Sequence, residues 1–519
     1  MEHPATPSEP ALAGQRPIED HAVLGDTRTA ALVSSDGSLV WLCAPRFDSP
    51  PVFGSLLAGP EGGRFSISPV DPRRTTRRYR DGSVVLETSW ETATGRLRLT
   101  EGMVADLSGE LLPQLALVRR VECVEGEAEV DIVFDPRRDF GEPPNRSARR
   151  GSALIAEWGS LALLLRVAPD VDLVPGRPRR LRMPAGERLT FLLTVADRAP
   201  AVLLGPDVAW TRLEATDRWW RGWSGEIDYE GPSRSAVERS LLTLRLLTYA
   251  PSGAPVAAPT TSLPEEIGGA RNWDYRFAWP RDASLGVAAF LGVGKPKEAE
   301  TFLRWLAIAS RLTRPAVQVL YDLDGRPGVS ERERWDLAGY AGSLPVRLGN
   351  AACNQHQLDV YGWIVEAAWR MERAGRELDR HIWAAVRGWT DYVCGCWREP
   401  DAGMWERRSE ARHFVHSKLM GWQALDRALA LAERRRVRSS RLARWRRERA
   451  ALGRDILRRG VDPERDVYVQ RYGSPDLDAA LLMLPALGIE PPDAPRVGRT
   501  VDAIRSELSA GDGLLYRYR

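Results

Sequence analysis

A short segment, residues 272–282, combines the residue types that hold a sugar. It carries four aromatic side chains interleaved with two acids and two arginines. Aromatic faces pack against the C–H face of a sugar ring, whereas Arg and Asp make directional hydrogen bonds with its hydroxyls. A core segment would not carry four charges, because unpaired buried charge is costly, and a solvated loop would not carry so much aromatic surface. The segment therefore predicts the wall of a polar-ligand pocket, with a sugar as the favoured ligand.

A second candidate is Glu406, which follows Trp405 in a loop-like stretch, residues 401–406. Glycoside hydrolysis needs a proton on the leaving oxygen, and enzymes usually supply it from a carboxylic acid. The apolar surface of Trp405 would raise the pKa of a neighbouring glutamate toward the range of a general acid. Arg407 and Arg408 would lower that pKa if they pointed inward. Residue chemistry alone leaves two interpretations open, a general acid and an ordinary surface-loop glutamate.

Length and composition limit the class to which the protein can belong and the partners that it can bind. The chain has 519 residues, 43% hydrophobic and 28% charged, which predicts a globular protein of two domains. Its net charge of +3 predicts no nucleic-acid partner, and no apolar run is long enough to predict a membrane partner. The five cysteines are mostly far apart, so we expect reduced thiols in a cytoplasmic protein, with no metal and no cofactor.

The hydrophobic pattern changes character along the chain. We expect a disordered tail over residues 1–16, an antiparallel β-sandwich over 17–210, a linker over 211–232 and a helical domain over 233–519. The strands are predicted at 83–90, 96–100, 128–134, 152–167 and 188–195. The helices are predicted at 233–249, 281–293, 296–311, 354–373, 378–396, 415–432, 440–459, 476–487 and 496–508. The arginine-rich stretch 434–449 fits a solvated amphipathic helix better than a nucleic-acid surface.

Several motifs in one order extend this interpretation. The chain resembles glycoside hydrolase family 15, the group of glucoamylases, glucodextranases and bacterial trehalase-like enzymes. The resemblance covers nearly the whole length, and its motifs lie at residues 18–26, 41–48, 260–264, 272–282, 349–362, 403–406 and 413–418.

The resemblance implies a fold, an activity and a set of site residues. The fold is an N-terminal β-sandwich, a helical linker and an (α/α)6 toroid. The activity is inverting release of glucose from the non-reducing end of α-glucosides, namely maltooligosaccharides, other α-glucans or trehalose. Glu406 matches the general acid of the family. The substrate-binding positions implied are Tyr275, Trp279, Arg281, Asp282, Trp405 and Lys418, the last serving the leaving-group side.

One departure from the family pattern concerns the second carboxylate. In the family a general-base glutamate follows shortly after a stretch like residues 512–519, and the sequence given ends there. We therefore expect a C-terminally truncated chain whose toroid lacks its last helices. The alternative function is a catalytically impaired carbohydrate-binding remnant. The sequence chooses neither the substrate nor the oligomeric state.

Overall fold

The computed structural model of the protein describes residues 15–105, 115–198 and 204–519. The predicted tail, residues 1–16, lies almost wholly outside them. The chain divides into two compact units. The first comprises Met1–Pro251, Pro255–Phe277 and Ser330–Asn350, and the second comprises Ser252–Ala254, Ala278–Val329 and Ala351–Arg519.

The described part of the first unit is built on an antiparallel sheet of 14 strands. They are β1 His21–Gly25, β2 Ala30–Ser34, β3 Ser38–Cys43, β4 Pro51–Phe53, β5 Arg64–Pro69, β6 Arg74–Tyr79, β7 Leu86–Glu91, β8 Gly95–Met103, β9 Leu115–Asp135, β10 Arg146–Arg150, β11 Ala153–Trp158, β12 Leu161–Ala168, β13 Arg179–Pro184 and β14 Arg188–Asp197. The first part of β9 pairs with β8 and β14, and its second part pairs with β5 and β13. The predicted antiparallel N-terminal sheet is confirmed.

The strands that pair with the two parts of β9 contribute side chains to one apolar core. Phe65 on β5 and Phe191 on β14 meet edge to face, with ring centroids 5.9 Å apart. Burial alternates along the second part of β9, where Ala128, Val130, Ile132 and Phe134 enter this core, as in a half-buried strand. The first part begins with five consecutive buried residues, and Ala116 and Val118 there pack with Ala209 and Leu213 of another cluster.

A buried ion pair crosses the same core. Arg119 on β9 donates to Glu101 on β8 at 2.7 Å, and both side chains are essentially inaccessible to water. The same guanidinium donates to the carbonyls of Phe65 and Gly37, each at 2.7 Å. Three groups thus depend on one side chain for their hydrogen bonds or charge balance.

One prediction for the first unit needs correction. The single strand predicted over 152–167 is a hairpin, β11 and β12, because Gly159 adopts a φ of +57° that ends the strand. Helix α2, Pro206–Gly225, occupies much of the predicted linker 211–232, and its Ala209 and Leu213 pack on the sheet. The other α-helices in the described part of this unit are α1 Ser55–Ala58 and α3 Arg234–Leu246.

The second unit is helical. Its helices are α4 Pro280–Gly292, α5 Pro296–Ala309, α6 Asp359–Arg373, α7 Arg380–Cys396, α8 Val415–Arg434, α9 Arg441–Arg459, α10 Leu484–Leu487 and α11 Pro495–Glu507. Helix α6 packs against α4, α5, α7 and α8. A Cβ on Gly362 would lie 2.5 Å from the carbonyl oxygen of Met420, so glycine lets α6 and α8 approach closely. The predicted helical domain is confirmed, and its toroidal arrangement stays a prediction.

Short strands complete the architecture of the two units. They are β15 Thr248–Tyr249, β16 Ala254–Pro255, β17 Thr261–Pro264, β18 Asn272–Asp274, β19 Arg332–Arg334, β20 Val346–Leu348, β21 Val461–Asp462, β22 Val467–Tyr468, β23 Ser509–Gly511 and β24 Leu514–Leu515. In the described part of the chain, no helix combines the length and apolar character needed to cross a membrane.

Residues 441–449 of the basic stretch 434–449 lie in α9, whereas residues 435–440 join α8 to α9 without helical structure. The amphipathic-helix interpretation is confirmed for the part in α9. Trp445, Leu452 and Ile456 form its buried face. Several of its arginines pair with acids, among them Arg449 with Asp426 at 2.7 Å.

Replacing Arg119 tests the importance of the buried ion pair. We expect Arg119→Met to lower the free energy of unfolding by about 3–5 kcal/mol, because it leaves Glu101 and two carbonyls without their partner in the core. The matched control is Arg180→Met, which breaks the exposed Arg180–Asp131 pair, where both side chains are at least 34% exposed, and should leave the free energy of unfolding nearly unchanged. Urea denaturation measures both changes, and equal losses would contradict the assignment.

Candidate active site

Three helices of the second unit place polar side chains in their first turns. Helix α4 begins at Pro280, whose fixed φ suits a helix start, so Arg281 lies in the first turn. Asp359 is the first residue of α6, and His416 is the second of α8. Because α6 packs against both α4 and α8, these starts bring polar groups from distant parts of the sequence together.

Glu406 is held by two of the residues predicted for the site. Its Oε1 accepts hydrogen bonds from the indole nitrogen of Trp279 at 2.8 Å and from Arg281 at 3.2 Å. The second Nη of Arg281 donates to the carbonyl of Met404 at 3.1 Å. The Arg281 and Glu406 side chains are 16% and 19% exposed. Arg281 therefore fixes both the carboxyl of Glu406 and the main chain that leads to it.

The surroundings of Glu406 favour its protonated form. Burial raises the pKa of its carboxyl above the ordinary glutamate value, against the lowering effects of the Arg281 charge and the Trp279 hydrogen bond. Arg407 donates to Gln470 Oε1 at 3.3 Å. The carboxyl is thus poised to keep a proton at a higher pH than an exposed glutamate would.

The loop that carries Glu406 has an unusual main chain. Gly403 has a φ of +71°, and a Cβ there would lie 2.9 Å from the Phe414 ring, so the position requires glycine. Glu406 itself has a φ of +54°. A residue with a Cβ rarely adopts this left-handed conformation, and such outliers concentrate at functional sites.

A buried polar cluster lies beside Arg281. Asp359 is fully buried, and this burial raises its pKa to about 7, against the opposing charge of Arg281. His416 is also buried, and desolvation lowers its pKa to about 3. The ring of Trp363 lies 6.4 Å from that of His416, centroid to centroid. Asp359 lies within a motif that the sequence singled out, but nothing in its local sequence predicts a position near Arg281.

The remaining predicted residues take different positions. Asp282 pairs with Arg281 at 3.4 Å, and its side chain is 41% exposed. The indole nitrogen of Trp405 donates to both carboxyl oxygens of Asp478, at 3.0 and 3.1 Å. Tyr275 belongs to the first unit, where its carbonyl accepts from Ala258 N at 2.9 Å.

Lys418 is buried and contacts the main chain. Its Nζ donates to the carbonyls of Trp397 and Glu399, each at 2.6 Å. Burial lowers its pKa to about 8, against the nearby charge of Asp401. In this position Lys418 anchors the chain just before the Glu406 loop, and its role toward substrate stays a prediction.

Asp401 is a further residue that the sequence did not assign to the site. Its Oδ2 accepts from the main-chain N–H of Leu358 at 3.0 Å, and its main chain pairs with that of Arg412 at 2.9 Å in both directions. It therefore ties the start of the Glu406 loop to the start of α6. Among the residues that the structure describes, no group of three or more His, Cys, Asp or Glu side chains is arranged to hold a metal ion.

Comparison with known proteins gives matches along nearly the whole chain. The family model of glycosyl hydrolases family 15 matches residues 231–519, and that of the trehalase-like N-terminal family matches residues 11–173. The chain is 36% identical to a protein named Trehalase from Mycobacterium tuberculosis, over 97% of this chain and 77% of that protein. It is 35% identical to a Trehalase from Mycolicibacterium smegmatis, with coverages of 97% and 79%. It is 33% identical to a Trehalase from Thermoplasma volcanium, with coverages of 99% and 82%.

The raised pKa of Asp359 predicts a pH-dependent stability. Because the folded state holds the proton up to about pH 7, against an ordinary pKa of 3.8, stability is full below pH 3.8 and falls as the pH rises toward 7. We expect Asp359→Asn to abolish this pH dependence, which amounts to roughly 4 kcal/mol. Denaturation across pH 4–8 measures it, with Asp502→Asn on the exposed face of α11 as control. Parallel profiles for Asp359→Asn and the unmodified chain would contradict the prediction.

Proposed function

Because the chain belongs to glycosyl hydrolases family 15, we propose that it hydrolyses a terminal α-glucosidic bond with Glu406 as the general acid. The chain is a glycosidase. The observation that carries the acid role is the buried carboxyl of Glu406, held by Trp279 and Arg281 and with its pKa raised. A carboxylic acid whose pKa is raised keeps its proton to a higher pH and can give it to a leaving oxygen.

The proposed reaction is an inverting hydrolysis. The proton of Glu406 passes to the glycosidic oxygen while the bond between that oxygen and C1 of the glucosyl unit breaks. Water adds to C1 from the opposite face and loses its proton to a base, so the released glucose is the β-anomer. We assign Arg281 and Asp282 to the hydroxyls of the non-reducing glucose, with Trp279 and Trp405 as its aromatic surroundings.

Trehalose is the substrate that we favour. The similar proteins reported above all carry the name Trehalase, and the matches cover at least 77% of each of them. Trehalose presents a terminal α-glucosyl unit to the acid, as maltooligosaccharides do, so substrate choice depends on the leaving-group side of the pocket.

Glucose release by the full 519-residue chain tests this function. We expect release from trehalose in preference to maltose, isomaltose and longer maltooligosaccharides. Glu406→Gln should lower kcat by about 10²–10⁴-fold, because an amide cannot donate an acidic proton. The first NMR spectra should show α- and β-glucose in equal amounts, one from the leaving half and one from the inverted half.

Three results would overturn parts of this proposal. Undiminished turnover by Glu406→Gln would remove Glu406 from the mechanism, and release of the α-anomer alone would exclude inversion. Sugar binding by calorimetry without any glucose release would favour the alternative, a carbohydrate-binding chain that does not hydrolyse its ligand.

The hydrogen bond from Trp279 predicts a shift in the pH profile. Activity should fall as the pH rises through the pKa of Glu406, because only the protonated acid works. Trp279→Phe removes a donor that stabilises the carboxylate, so this pKa should rise and the alkaline limb of kcat/KM should move up by about 0.5–1 pH unit. Trp405→Phe is the matched control, because its indole donates to Asp478. A limb that moves to lower pH would contradict the assignment.

A further inference from the structure

The left-handed main chain of Glu406 must be held in place. A residue with a Cβ rarely adopts its φ of +54°, and such a conformation persists only where the surroundings hold it. Within the loop, the N–H of Glu406 donates to the carbonyl of Gly403 at 3.2 Å, which closes the turn on one side. The carbonyls of Glu406 and Arg407, on the other side, need partners from elsewhere in the chain.

Gln355 supplies those partners. Its side-chain Nε2 donates to the carbonyl of Glu406 at 3.2 Å and to the carbonyl of Arg407 at 3.3 Å. Two consecutive carbonyls bound by one amide fix the peptide plane that follows Glu406. Gln355 lies in the second unit and precedes α6 by four residues.

A second glutamine orients the first. The Nε2 of Gln357 donates to Gln355 Oε1 at 3.1 Å, and Gln357 is 3% exposed. Because Oε1 of Gln355 is occupied in this way, its Nε2 faces the loop carbonyls. The amide of Gln355 therefore has one productive orientation.

The neighbours of Gln355 hold the other end of the same loop. The carbonyl of His356 accepts from the N–H of Ala402 at 2.9 Å. The N–H of Leu358 donates to Asp401 Oδ2 at 3.0 Å. The segment 355–358 thus binds the Glu406 loop where it begins and, through Gln355, where it carries the acid.

We propose that Gln355 is a positioning residue that holds the left-handed main chain of Glu406 and so aims its carboxyl at the glycosidic oxygen. The proposal rests on the acid role proposed above for Glu406. Gln355 acts through the main chain of Glu406, so it should affect proton transfer more than substrate binding. A reacting group misplaced by about 1 Å can lose about 10²-fold in rate.

The test compares two leaving groups in Gln355→Met, which keeps the length of the side chain and removes the donor. Fluoride leaves α-glucosyl fluoride with the electrons of the C1–F bond and needs no proton, whereas a sugar oxygen needs one. For the O-glycoside that the chain hydrolyses, we expect kcat to fall about 10–100-fold, with KM within about threefold. For α-glucosyl fluoride, we expect kcat to fall by no more than about threefold.

Controls separate this proposal from the proposed function. Gln423→Ala removes another buried glutamine of the same unit, one that donates to Glu366, and should leave both rates unchanged. Glu406→Gln should show the same selective loss as Gln355→Met. If Glu406→Gln slowed the hydrolysis of both substrates alike, the acid role itself would be refuted. If Glu406→Gln slowed only the O-glycoside while Gln355→Met slowed both substrates, only the role of Gln355 would be overturned.

A crystal structure of Gln355→Met gives a readout that does not depend on turnover. We expect the carbonyls of Glu406 and Arg407 to turn away from their present direction and Glu406 to leave the left-handed region. Gln355→Ala serves the same purpose if the methionine variant does not fold. A main chain unchanged at Glu406 would overturn the proposal.

Discussion

The burial of one guanidinium, that of Arg281, governs the polar centre of the helical unit. Burying a cation is costly unless hydrogen bonds and opposite charges surround it. Arg281 binds the carboxyl of Glu406 and the carbonyl of Met404, pairs with Asp282 and lies near Asp359. These carboxyls outweigh the effect of burial and keep the pKa of Arg281 raised. Glu406 can carry a proton without leaving Arg281 uncompensated, because Asp282 also pairs with Arg281.

The second constraint is conformational, because the Glu406 loop has little regular structure of its own. Other elements bind the loop and the chain just before it. Lys418 of α8 donates to the carbonyls of Trp397 and Glu399, and Asp478 accepts from the indole nitrogen of Trp405. Loops that carry function on a rigid scaffold commonly depend on such contacts. The left-handed residue at Glu406 is tolerated since its surroundings determine its conformation.

Local pattern predicted the helices closely. The prediction 415–432 corresponds to α8 Val415–Arg434, and 281–293 corresponds to α4 Pro280–Gly292. The pattern did not predict the break between β11 and β12, because there a single residue, Gly159, ends the strand. In the site, motif resemblance singled out Trp279, Arg281 and Glu406, and the structure brings them together. It did not single out Gln355, because its contacts join residues about 50 positions apart and glutamine carries no spacing signal for such a role.

The cause of the raised pKa of Glu406 decides whether this acid needs a second carboxylate nearby to keep its proton. A general base close to Glu406 would add negative charge and help it to keep its proton. Here burial is the largest cause of the shift, and Asp282 adds a smaller effect of the same sign. The side chains that hydrogen-bond to Glu406, those of Trp279, Arg281 and Gln355, all lie within the helical unit. The acid half of the proposed chemistry therefore depends on burial and on these contacts, whichever group accepts the proton of the attacking water.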